Sequence, residues 1–162
     1  MRKLIALLAA VAALGSGVAL AGGGGGGGDN PPPLPPLKRQ PTPAAVVREH
    51  LEALNACDWN RLMAQYPPDV AFFLPDGMVI QGREAIGDLF WGFCKDRSEN
   101  GFRGLQFKGE VTKRVGSTIN TQWVATADFL AEPYKGADAY VTRKGLMAVQ
   151  VTTFDPSKMK FK

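Results

Sequence analysis

One histidine and two cysteines are all that the chain offers as soft metal ligands, and they are too far apart to match any zinc spacing. No G-x-S-x-G elbow or dinucleotide fingerprint is present, so serine-hydrolase and nucleotide-cofactor chemistry have no sequence support, and no cofactor is expected. Charge of one sign is also scarce. Without Arg2 and Lys3, 17 basic residues face 15 acidic ones, a net charge of +2. So small a balance argues against nucleic acid or an anionic membrane as the main partner. After residue 21, no apolar run is long enough to span a bilayer.

Residues 1–21 hold Arg2 and Lys3, an apolar run from Leu4 to Leu20 and the small-x-small ending Ala19-Leu20-Ala21. These are the three parts of a secretory signal, with cleavage expected after Ala21. The mature protein is then expected to be periplasmic or secreted, without stable membrane insertion. Residues 22–42 run from seven glycines into PPPLPPLKRQPT, which reads as a spacer passing from flexible coil to stiffer polyproline-like chain. Residues 43–156 are left for one domain, followed by a short tail, 157–162.

The stretch Ala44 to Cys94 carries the strongest periodicity. Val47, His50, Leu51 and Leu54 recur at i, i+3, i+4 and i+7, which predicts a helix from Pro43 to Ala56 with His50 facing inward. Thr42-Pro43 supplies its cap and first turn, and Asp58 caps a short second helix that Pro67-Pro68 stop. Val70–Leu74 and Met78–Gln81 flank a Pro-Asp-Gly turn and read as a hairpin. Ile86, Leu89, Phe90 and Phe93 predict a third helix from Arg83. Beyond the charged loop KDRSENG the period becomes two. Alternation predicts four strands, with Ile119, Thr121, Trp123 and Ala125 on one face and a turn over Glu132–Gly136.

The segments HLEALNACDWNRLMAQYPPDVAF, LPDGMVIQGREAIGDLF and GADAYVTRKGLMAVQVTTF, in this order, resemble the nuclear transport factor 2-like superfamily, in its ketosteroid-isomerase-like and SnoaL-like branch. The resemblance implies an α+β fold: a curved antiparallel sheet forming a conical half-barrel, covered on its concave face by three N-terminal helices. It also implies a pocket between them and a homodimer paired through the sheets. Position by position, a ketosteroid isomerase has an oxyanion-binding tyrosine where this chain has His50 and its base aspartate where this chain has Leu74. Its protonated aspartate maps near Asp138, within one residue of register.

His50 and Asp138 are accordingly the candidate catalytic pair, each with a plainer alternative: a satisfied core histidine and an exposed strand aspartate. Gln150, Trp123 and Tyr140 are candidate ligand contacts, or simply core. Asp76, two residues beyond Leu74, lies in a turn where an aspartate commonly serves the backbone. Cys57 and Cys94 are a candidate disulfide in an exported protein, although spacing alone does not bring them together. Three readings follow. The first is an exported domain that binds a small, mostly apolar molecule in its pocket. The others are a cofactor-free isomerase or cyclase using His50 and Asp138, and a dimeric interaction module without ligand.

Overall fold

In the computed structural model, which describes residues 30–162, three helices lie across the concave face of a curved, unclosed six-stranded sheet. The expected signal segment and the glycine run lie outside the described residues. Helix α1 (Pro43–Asn55) begins where Thr42 Oγ1 accepts a hydrogen bond from Ala45 N at 3.1 Å, and it buries Val46, Val47, His50, Ala53 and Leu54. This is the stripe set by the apolar spacing. Helix α2 (Trp59–Met63) is capped by Asp58 and is held to α3 (Arg83–Phe93) by the Trp59 indole, which donates to Gly87 O at 3.1 Å.

Strands β1 (Ala71–Phe73) and β2 (Val79–Gln81) form the short hairpin, followed by β3 (Gln106–Val115), β4 (Thr118–Thr126), β5 (Tyr134–Arg143) and β6 (Leu146–Thr153). Their order is β2-β1-β6-β5-β4-β3. All neighbours are antiparallel except β1 and β6, which run parallel. This junction departs from a wholly antiparallel sheet. No tight turn links the two strands, so nothing local fixes their relative direction. Strand β5 also begins at Tyr134, inside the expected turn, because Tyr134 is buried, pairs with Ala125 and donates its hydroxyl to Asp155 O at 2.6 Å.

Both flanking segments pack on the domain. The proline-rich segment lies along it rather than standing free: Leu34 joins the core, Arg83 donates to Pro35 O, and Gln40 N donates to Gly145 O at 2.8 Å. At the other end Phe161 bridges to Leu130 and stacks on Phe129. Asn55, at the end of α1, completes the edge of β3 by accepting from Phe107 N at 2.7 Å and donating to Phe107 O at 2.9 Å. One apolar cluster lies between the helices and β1, β4, β5 and β6, with Tyr66, Phe72, Phe90 and Tyr140 among its rings. A second surrounds Leu105, Trp123, Ala125, Leu130 and Tyr134.

Candidate functional site

Between these two clusters lies a cavity of about 610 Å³, large enough for a small organic ligand. Strand alternation turns Trp123, Ala125, Asp138, Gln150 and Thr152 into it from the sheet, while the C-terminal half of α3 contributes Leu89, Phe90 and Phe93. Pro31 and Met159 show that both flanking segments reach its rim, where Asp88, Lys95 and Glu99 supply charge.

Asp138 is 7% exposed and stands opposite Thr121 on one side and Thr152 on the other, so its register points it inward. One carboxyl oxygen accepts from the Tyr140 hydroxyl at 2.8 Å. The other has no partner in the protein at full hydrogen-bonding geometry, and neither has the Trp123 indole nitrogen. Burial pushes the Asp138 carboxyl above the usual carboxylate range, and the donors Thr152, Tyr140, Trp123 and Gln150 offset this only in part. Burial thus shifts the balance toward the neutral acid, the form that can donate a hydrogen bond within an apolar wall.

His50 is fully buried behind that wall, ringed by Tyr66, Phe90 and Tyr140 at centroid separations of 6.1, 6.0 and 5.6 Å. Its Nδ1 lies 3.1 Å from the Tyr66 hydroxyl, which also lies 3.2 Å from Gln150 Oε1. Tyr66 has one hydrogen to give. Donated to Gln150, it leaves His50 Nδ1–H as the donor to Tyr66 and His50 Nε2 as an unpartnered lone pair. Burial alone drives the imidazole down to about 3, so it stays neutral at physiological pH.

Of the residues singled out from sequence, Asp138, Gln150 and Trp123 lie on the cavity wall, while His50 and Tyr140 stand behind it. Tyr140 acts on the site through Asp138, and His50 through Tyr66 and Gln150. Asp76 Oδ1 accepts from Met78 N at 2.9 Å and serves its own turn. Leu74 is buried on the cavity wall, where it offers no base. Cys57 and Cys94, with Cα atoms 5.4 Å apart, form a disulfide that ties the end of α1 to the end of α3 and so fixes the helical wall.

Sequence reasoning missed Tyr66 and Thr152. Thr152 carried a signal, since it lies two residues from Gln150 on the same strand face. Tyr66 carried none, because it follows a short helix in irregular chain. Among the described residues, no group of three or more His, Cys, Asp and Glu is placed to hold a metal, and no helix is long and apolar enough to cross a membrane.

No curated protein matches the sequence. Solved structures share the fold at low identity. An NTF2-like protein of unknown function from Cytophaga hutchinsonii is 16% identical, with a TM-score of 0.59 over 75% of this chain and 96% of that one. A candidate ketosteroid isomerase from Kribbella flavida is 20% identical, with a TM-score of 0.55 over 70% and 77%. A computationally designed 17-OHP binder is 23% identical, with a TM-score of 0.60 over 76% and 98%. The profile of SnoaL-like domains matches residues 47–154, from α1 through the last strand. On that match, and with the cone of helices and curved sheet that encloses the cavity, the chain belongs to the SnoaL-like domain family on the nuclear transport factor 2-like fold.

Proposed function

We propose that this protein is an exported domain that binds a small, mostly apolar molecule in the cavity and fixes one polar group of it against Asp138, Trp123 and Gln150. The observation that carries this reading is the pairing of a largely apolar cavity of about 610 Å³ with one polar patch on its wall, the buried Asp138 carboxyl with Trp123 and Gln150 beside it. A few convergent polar groups in an apolar cavity are what orient a small ligand through its carbonyl or hydroxyl. The designed 17-OHP binder supports it by analogy of fold.

Family membership favours a second reading, a cofactor-free isomerase or cyclase. Such a reaction needs an unprotonated base of adequate strength beside the substrate. His50, lowered to about 3, is a weak base and does not reach the cavity, and Leu74 stands at the family's base position. The remaining carboxylates, Asp88 and Glu99, are at the rim. Binding therefore accounts for more of the geometry than catalysis.

Export to the periplasm or beyond is supported by the signal-like segment and by a disulfide suited to an oxidising compartment. A homodimer is supported by the outer sheet face, where Val79, Phe73, Val151 and Ala139 form a cross-strand apolar row, with Phe73 40% and Val79 44% exposed. Native mass spectrometry of the protein from its own exported fraction tests these points together. A chain starting at Gly22, a dimer and a retained small molecule lost on Gln150→Ala are expected. An empty cavity that also rejects apolar probes would overturn the binding reading in favour of a ligand-free interaction module.

A further inference from the structure

Charge is segregated along the sheet axis in a way that the net +2 conceals. The β3–β4 and β5–β6 turns lie side by side at the end of the sheet away from the cavity mouth, joined by Thr142 N and Thr142 Oγ1, which donate to Ser117 O at 2.9 and 3.1 Å. Arg39 closes against them by donating to Lys144 O at 2.6 Å. Lys38, Arg39, Lys113, Arg114, Arg143 and Lys144 are all exposed here, and among the described residues the one carboxylate bonded to them is Asp69, paired with Arg143. Arg39 and Arg114 bond only backbone carbonyls, so their charge stays uncompensated.

The same end carries an unusual apolar tip. Val115 is 82% exposed, the highest value among the described large hydrophobic residues, and Leu37 is also exposed. A groove of about 330 Å³ runs between Arg39, Arg143 and Lys144, with Pro67 and Leu146 as its apolar lining. No aromatic residue stands among these side chains, which removes the stacking platform that single-stranded nucleic acid needs. Cations around a protruding aliphatic residue match a layer of anionic headgroups over acyl chains.

We propose that this basic end is a docking surface for an anionic phospholipid bilayer, with Val115 entering the headgroup layer and the groove taking a lipid phosphate. The contact is peripheral and reversible. It directs the cavity mouth, at the opposite end of β4, β5 and β6, away from the bilayer and toward water.

The test is co-sedimentation of the full chain, purified without detergent from the cells that make it. The vesicles are phosphatidylcholine alone or phosphatidylcholine mixed with phosphatidylglycerol, each at low and high salt. Partition onto the anionic vesicles alone, weakened by salt, is expected. The double variant Arg114→Gln with Lys144→Asn should lower it about 25-fold, at roughly five-fold for each cation removed. Asparagine suits the left-handed φ of 50° at position 144. Val115→Ser, which removes the apolar tip without altering charge, should weaken partition without changing its salt dependence. Circular dichroism and probe binding in the cavity should match wild type in these variants, which separates this surface from the pocket. Equal sedimentation of wild type and double variant would overturn the proposal, as would equal binding to neutral vesicles. Complete release by inorganic phosphate at unchanged ionic strength would reassign the groove to a free anion. Equal, equally variant-sensitive retention on duplex DNA would reassign the surface to polyanions in general.

Discussion

Acidification should unfold this protein through its single histidine. His50 is fully buried among three aromatic rings, and its imidazole is lowered from 6.5 to about 3 by burial alone. The unfolded chain binds a proton at His50 once the pH falls below the ordinary histidine range, while the folded chain does not. Stability from this site is therefore complete above about pH 6.5 and is lost progressively as the pH falls toward 3. At about 1.4 kcal/mol per pKa unit, the loss is ~2.7 kcal/mol by pH 4.5 and approaches ~5 kcal/mol near pH 3. Either is a large share of the ~5–15 kcal/mol that holds a domain of this size. The assay is urea unfolding at pH 7 and at about pH 4.5 for wild type and His50→Gln, a neutral amide that can still meet the Tyr66 hydroxyl. The variant starts lower at pH 7, by about 1–3 kcal/mol for its poorer fit. Its further loss on acidification should be ~2.7 kcal/mol smaller than that of wild type, since the carboxylates titrate alike in both. Parallel losses in the two proteins would refute the reasoning.

Asp138 titrates with the opposite sign. Its folded pKa is raised above 3.8, so its stabilising contribution is full below that value and falls as pH rises through the folded pKa. Asp138→Asn, which still accepts from Tyr140, should remove this decline and be more stable than wild type at pH 7 by thermal denaturation; lower stability there would count against a raised carboxyl. Gly136→Ala places a methyl carbon 2.3 Å from Trp123 Cζ2, against the ~3.5 Å of ordinary contact, so the indole must shift by about 1 Å. We expect a loss of about 1–3 kcal/mol and weaker binding of an apolar fluorescent probe, because Trp123 lines the cavity; unchanged probe affinity would show that the ring moves elsewhere. Replacing Cys57 and Cys94 by serine opens a 37-residue cross-link, worth ~4 kcal/mol in the chain-entropy estimate, and should lower the urea midpoint accordingly.

Much of the architecture was legible because it follows from near neighbours. The i, i+3, i+4 stripe of Val47, His50 and Leu54 and the cap at Thr42 are set within a few residues, and α1 forms where they place it. The alternation of Ile119, Thr121, Trp123 and Ala125 likewise fixes the buried face of β4. The inward register of Asp138 depended instead on where β5 pairs with β4, a one-residue choice between cavity and solvent that local pattern leaves open.

The sequence by itself therefore determined the helices, most strand faces, the sparse metal and nucleophile chemistry and the family resemblance, because each rests on residue identity and short-range spacing. Tertiary structure alone decided the rest. The parallel pairing of β1 with β6, the 5.4 Å approach of Cys57 to Cys94 and the meeting of Tyr66 with His50 and Gln150 join residues far apart in the chain. Such contacts depend on how whole elements pack, and packing also set a ring of aromatics between His50 and the cavity, which made the one histidine a buried support. The basic end arose in the same way, when two turns and the proline-rich segment converged at one end of the sheet and concentrated there a charge that the net composition averages away.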